Sequence, residues 1–462
     1  MFTFPKRKVA ALWILTSLVA PSFLFAQQSR LNLSALIDSA DHYLPTLQEK
    51  QALLNSASAN VTDARHQFLP AFRLSDQVTL GSDNSMAGSY FSYGIIPSTS
   101  AGVRDANDMQ AASGNIAILY GQYDLIDFGY RNARIDEARA EENFQHADLA
   151  REIYIQNSRV SRAYFHLLIA EARMAVEGQT VSRYDTIFST IRGLTGAGIK
   201  PGSDSSLAKA ELSKSRITYN QLNGLADNYR QELAYLTGID PGHLEIDTTL
   251  LFQYRRAALF NGDTSAAANP LIDYYQNLQK TYQANEKLIA RSYLPRISLT
   301  AASWARGSSI VYDDQYKGLP TGWGLQRFNY MAGLSFQYDL FNGLHKKDRL
   351  RSFGFEREAS ELELRQQILN LDFASKRAQN DIEITERNLL ELPIQYQAAV
   401  DTYNQKMAQY KAGIITLIDL TNAAFVLDRS LNDYVQTVGS WYLAKLEQSI
   451  AGGNLATFIQ SL

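Results

Sequence analysis

Apolar positions along this chain follow two periods, and the two periods appear in the same order twice. Between Arg131 and about Arg192, the residues Leu149, Ile153, Gln156, Val160, Ala163, Leu167, Ala170 and Met174 recur at spacings of 4,3,4,3,4,3,4. That is a coiled-coil seam interrupted by small and polar residues. A shift of 215 residues gives Leu364, Ile368, Leu371, Ser375, Ala378, Ile382, Thr385 and Leu389, inside a second helix over about Leu344–Lys411. Ahead of each long helix the period drops to two. Phe328, Tyr330, Ala332, Leu334, Phe336, Tyr338 and Leu340 share one face of a predicted strand. Asn329, Met331, Gly333, Ser335, Gln337 and Asp339 share the other. Ile297, Leu299 and Ala301 alternate with Arg296, Ser298 and Thr300. In the first half Phe72, Leu74, Val78 and Leu80 alternate with Arg73, Ser75, Gln77 and Thr79, Asp76 breaking the apolar face once. Asn115–Leu125 alternates less cleanly.

Local motifs repeat with the periods. Phe68-Leu69-Pro70 matches Tyr293-Leu294-Pro295 at an offset of 225, and Tyr123-Asp124-Leu125 matches Tyr338-Asp339-Leu340 at 215. Ala197-Gly198-Ile199 matches Ala412-Gly413-Ile414, and Asp204 matches Asp419, also at 215. The first repeat is predicted over 27–238: a helix Ser34–His66, a β-hairpin at about 71–125, the long helix, a tip turn at about 193–204 and a helix to about Thr237. The second is predicted over 269–452: a helix Leu271–Ser292, a hairpin at about 296–341, the long helix with Pro393 as an expected kink, a tip turn at about 411–416 and a helix Thr416–Ile450. Residues 239–268 link the repeats and 453–462 form a tail. A helix of about 62 residues is roughly 90 Å long, which no compact domain needs. The two shorter helices of the first repeat, stacked end to end, match that length.

Residues 1–26 read as a cleavable export signal: Lys6, Arg7 and Lys8, an apolar run broken by Pro21, then Ala26 before Gln27. Its removal takes three positive charges and no acid, moving the formal charge from −3 to −6. Beyond it no apolar stretch is long enough for a membrane helix, so an exported chain of this kind enters a membrane only as β-structure. Trp304 and Trp323 fall in the second strand-loop-strand, where an aromatic girdle is expected. Four strands of about ten residues cannot close a barrel, and open edges are intolerable in lipid. Several chains must therefore share one barrel.

The chain resembles the TolC-like outer-membrane efflux channels. The duplicated order carries the resemblance over residues 30–452, together with Tyr123–Gly129, its partner Tyr338–Gly343 and the turns ending in Asp204 and Asp419. It implies a mainly α fold with a transmembrane β-barrel part: a homotrimer with a 12-stranded barrel in outer-membrane lipid and a coiled-coil tunnel crossing the periplasm. The linker, the mature N-terminus and the tail are implied to form an equatorial belt. The implied function is passive conduction of small molecules or drugs as the exit duct of a tripartite pump, with type I protein secretion as the alternative. The implied partners are a periplasmic adaptor and an inner-membrane transporter. By the same resemblance Ser203, Asp204 and Tyr410 fall on gate positions and Asp419 on an aperture acid. Ile415 stands where the family has a gate Arg, and Asn422 where it has a second acid; Lys200 and Lys411 lie nearby. Gly198 and Gly413 mark the tips that meet the adaptor. Read without the resemblance, Ser203, Asp204, Thr416 and Asp419 are also placed to cap helices, the glycines to supply positive φ, and Tyr410 to pack between helices.

Other chemistry finds little material. Cys is absent, which excludes disulfides, thiol catalysis and Cys-zinc sites. The six His are scattered, and there is no His-Glu-x-x-His, Gly-x-Ser-x-Gly or phosphate loop. No enzyme, cofactor or metal site is expected, and a chain with 44 Lys+Arg against 47 Asp+Glu is no nucleic-acid binder by overall charge. A soluble coiled-coil scaffold would explain the heptads but not the duplicated alternating strands.

Overall fold

The computed structural model describes residues 32–86, 102–252, 269–311 and 314–462. The expected export signal at 1–26 and residues 253–268 of the linker lie outside them. The chain opens with α1 (Leu33–Tyr43) and α2 (Pro45–His66), where one helix was expected. The break is local chemistry: Pro45 takes the first position of α2, and a residue before proline is driven out of the helical region. Leu44 accordingly sits at φ −69°, ψ 120°. Next come β1 (Ala71–Gly81), the short β2 (Ser85–Met86) and β3 (Gly102–Val103), and β4 (Ala112–Ile126). Then follow the 67-residue α3 (Tyr130–Gly196), α4 (Gly202–Thr237), a 3-10 turn at Pro241–His243 and the short α5 (Thr249–Phe252).

The second half repeats the order. It comprises α6 (Pro270–Ser292), β5 (Arg296–Ser308), β6 (Ile310–Val311), β7 (Gln315–Tyr316), a helical turn α7 (Pro320–Trp323) and β8 (Arg327–Gln337). The 70-residue α8 (Asn342–Lys411), α9 (Leu417–Gly452) and α10 (Leu455–Gln460) complete it. Pro393 lies inside α8, whose helical run continues through it. Strand β8 stops at Gln337, short of the Tyr338–Leu340 expected to extend it.

The four long strands form one antiparallel sheet in the order β1-β4-β5-β8. Its register decides which side chains share a face. Leu74 pairs with Leu119, Leu119 with Ser303, and Ser303 with Tyr330. This face also carries Phe72, Val78, Phe328, Leu334 and Phe336, all exposed. The other face carries Arg73, Ser75, Gln77, Thr79, Gln122 and Thr300. The expected alternation is therefore present, but Trp304 belongs to the polar face, paired with Ile118 and Asn329. A girdle position fits only Trp323, whose carbonyl accepts from the Asn115 side chain at 2.9 Å over the apolar face.

The helical core is built where α3 meets α1, α4 and α9. Phe165, Leu167, Leu168, Leu233, Val438 and Trp441 are buried together there, and Phe458 of α10 closes the cluster. Tyr154 donates its hydroxyl to the Ile450 carbonyl at 2.6 Å, and the Asn269 amide donates to the same carbonyl at 3.0 Å. These bonds tie α3 and the start of the second repeat to the end of α9.

Candidate gate at the helical tips

Both long helices end in the same turn. After α3, Gly198 adopts φ +71°; its N–H donates to Thr195 at 3.0 Å and the Ile199 N–H to Leu194 at 2.9 Å. After α8, Gly413 adopts φ +77°; its N–H donates to Tyr410 at 3.0 Å and the Ile414 N–H to Gln409 at 2.9 Å. Each is a Schellman closure, in which the left-handed residue lets two late carbonyls find donors. Nothing lies within 4 Å of a Cβ built on either glycine, so backbone conformation alone explains the residue type. Ile199 and Ile414, which follow them, are 66% and 72% exposed. Apolar side chains therefore stand free at both tips.

Behind the turns the two helical hairpins share one core. Tyr184, Ile187 and Ile191 of α3 and Ala208 and Leu212 of α4 pack with Tyr410 of α8 and Leu417, Leu420 and Ala424 of α9. Ile415 packs against this cluster from its edge. Tyr410 is only 2% exposed, and its hydroxyl is buried without a hydrogen-bond partner. Lys200 approaches its ring, with Nζ 5.0 Å from the centroid. Burial first, and the Asp204 carboxylate second, push the Tyr410 phenol up.

The other expected site residues divide. Ser203 and Asp204 lie inside the first turn of α4, whose N-cap is Pro201, and no side chain caps that end. The capping role open to them on sequence is therefore not the one they have here; Asp204 instead places a carboxylate at the positive end of the helix. Asp419 does cap. Thr416 is the N-cap of α9; the Asp419 N–H donates to its hydroxyl at 3.3 Å, and the Asp419 carboxylate accepts from the Thr416 N–H at 3.1 Å and from its hydroxyl at 2.7 Å. The Thr416 hydroxyl, then its N–H, hold the Asp419 carboxyl below the usual carboxylate range. Asp419 and Asn422 are both exposed. The structure thus joins Tyr410, Lys200 and Ile415 at the tip core, near Asp204, and leaves Ser203, Asp419 and Asn422 on the surface.

One cluster above the tip had no sequence signal. Arg183 of α3 pairs with Asp428 of α9, which also accepts from the Thr180 hydroxyl at 3.1 Å. Glu177 stands beside them, accepting from Ser215 of α4 at 3.1 Å. Burial pushes the Asp428 carboxyl up to about 6, against the opposing pull of Arg183 and Thr180. Each of these residues reads in sequence as an ordinary charged or polar position on a helix.

A four-stranded sheet, apolar on one face and polar on the other, stands here on paired helices about 100 Å long. That combination is the one expected above of an outer-membrane channel prolonged by a helical tunnel. The family described as outer membrane efflux protein matches residues 36–239. The solved channel OprN superposes with a TM-score of 0.73 at 19% identity, covering 91% of this chain and 90% of its own. Campylobacter jejuni CmeC gives 0.74 at 15% identity, covering 92% and 86%. The open state of Neisseria gonorrhoeae MtrE gives 0.70 at 17%, covering 92% and 89%. No curated protein matches the chain by sequence. The family match covers a little under half of the chain, and the chain as a whole has the fold of these solved channels. Family and fold together put the sheet in the outer membrane and the helices in the periplasm.

Proposed function

We propose that three copies of this chain close a 12-stranded barrel and a helical tunnel, and that the trimer is the passive exit duct of a tripartite efflux pump. The observation that carries the reading is the sheet. Strands β1 and β8 each pair on one side only among the described residues, and the exposed apolar face needs lipid. A second support is α8, where Phe355, Leu362, Leu369 and Phe373 form an exposed apolar stripe that a neighbouring copy would cover. In this reading residues 27–238 and 269–452 are the repeats, and 239–268 with 453–462 form the belt. A periplasmic adaptor engages the tips at Gly198 and Gly413, and an inner-membrane transporter supplies the energy. Ser203, Asp204, Tyr410, Ile415, Asp419 and Asn422 surround the constriction that opens. The channel carries out no catalytic step.

The test has two parts. The mass of the detergent-purified chain is expected to be that of three copies, with discrete conductance steps in a planar bilayer; a water-soluble monomer without conductance would end the reading. Cells lacking the chain are expected to become sensitive to small toxic solutes while their exported proteins are unchanged. The reverse pattern would make it the outlet of a protein secretion system.

A further inference from the structure

The polar face of the sheet carries an unusual row at its loop end. By register Gln77 lies opposite Ile116, Ile116 opposite Arg306, and Arg306 opposite Arg327. Like charges directly opposite on neighbouring strands are destabilising. The pair is not neutralised locally: both arginines are exposed, and among the described residues neither enters an ion pair. Arg104, from the segment between β1 and β4, already pairs with Asp314. On the same face the first carboxylate is Asp124, which shares a row with Ser298 and accepts from its hydroxyl at 2.6 Å. That row is eight residues down β5 from Arg306, roughly 27 Å away at strand rise. Neither the sheet's packing nor its apolar face calls for a cation at 306 or 327, since both side chains point away from that face.

We propose that Arg306 and Arg327 form an oxyanion-binding ring on the inner wall of the barrel, near its outer mouth. The inference rests on the trimeric barrel proposed above, which repeats the pair three times around the lumen. Two guanidinium forks on adjacent strands offer paired N–H donors to the oxygens of phosphate, sulfate or carboxylate groups. A multivalent anion bridging them relieves the repulsion that the empty pair carries. Solutes with several such groups are concentrated at the mouth, and cations are disfavoured there. The ligand has two possible origins: cargo arriving along the tunnel, and anions entering from outside.

The test is block of single-channel current by inorganic tripolyphosphate, with the full-length chain in a planar bilayer. Voltage-dependent block is expected, weakened at least about tenfold in the R306Q/R327Q double variant and less in R306K/R327K, which keeps the charge but loses the paired donors. Block on addition at the loop side marks access from outside; block on addition at the tip side marks access along the tunnel. Either supports the ring. Undiminished block in R306Q/R327Q, or no block of a conducting wild type, overturns it while leaving the channel intact. Absence of conductance in the wild type overturns the channel reading and the ring with it. A thermal midpoint of R306Q/R327Q equal to or above wild type is expected; a clear fall would make the arginines structural and overturn the proposal.

Discussion

Gly439 of α9 lies so close to Ile169 of α3 that a Cβ built on it would sit 2.4 Å from Ile169 Cγ1. The two helices cross at this point inside the main core, so hydrogen in place of a side chain sets their separation. Gly439→Ala is expected to overpack the crossing and to lower stability by about 1–3 kcal/mol. Adding Ile169→Ala is expected to recover part of that loss, because the smaller side chain vacates the contested space. Urea midpoints of the four proteins measure the coupling, and simple additivity would mean the helices separate rather than collide.

Asp428 predicts a pH dependence. Its folded value of about 6 lies above the ordinary 3.8, so between those values the folded chain holds more protons than the unfolded one. Stability therefore falls as pH rises through the window from about 4 to 6 and levels off above it, a span on the order of 2–3 kcal/mol. Asp428→Asn is expected to flatten the profile in that window. Thermal midpoints of wild type and variant at pH 4.5 and 7 decide it, and parallel profiles would assign the dependence to Glu177, which burial also pushes up.

At the tip, Tyr410 separates gating by packing from gating by hydrogen bonds. Its hydroxyl has no partner, so Tyr410→Phe is expected to leave both stability and resting conductance unchanged. Tyr410→Ala leaves a cavity in the shared core and is expected to cost about 3 kcal/mol and to raise conductance. Increased conductance in Tyr410→Phe would show that the hydroxyl, not the ring, closes the tip.

Asp419 carries two candidate roles that substitution can split. Thr416→Ala removes the cap and is expected to cost about 1 kcal/mol of stability while keeping the carboxylate. Asp419→Ala removes both. If the carboxylate lines the aperture, only Asp419→Ala weakens block by polyvalent cations added at the tips. Equal effects of the two variants would confine Asp419 to capping.

The glycine turns rank themselves. Gly413→Ala meets only the cost of a left-handed alanine, about 1 kcal/mol. Gly238→Ala carries the same backbone cost at φ +73° and also drives a Cβ to 2.4 Å from the Tyr43 ring. It is expected to lose more stability than Gly413→Ala by thermal melting, and equal losses would mean that Tyr43 simply swings aside.

Much of this architecture is visible in residue order, for a definite reason. Heptad spacing is a property of one helix and alternation a property of one strand, so both survive in a linear string. Duplication then doubles each signal: Gly198 and Gly413 close the same turn because the same local hydrogen bonds recur. The single helix expected over Ser34–His66 misses the split at Leu44, although Pro45, whose ring disfavours a helical residue before it, carries the signal. The capping pair Thr416 and Asp419 is a four-residue motif of the same kind. Side-chain partners across helices are not legible. Arg183 and Asp428 stand 245 residues apart, and each alone resembles a solvated helix position. Tyr410 reads equally well as gate or core until its ring is placed among Ile191, Leu417 and Leu420.

Local periodicity and the repeat by themselves determined the order of long helices and alternating strands, twice over, because each is written in covalent neighbours a few residues apart. Only tertiary structure decided the strand register that sets Arg306 opposite Arg327, the side of the sheet that Trp304 occupies, and the burial that leaves the Tyr410 hydroxyl unpaired. Those depend on packing between segments distant in the chain, and no local pattern specifies which distant side chain comes to rest against which.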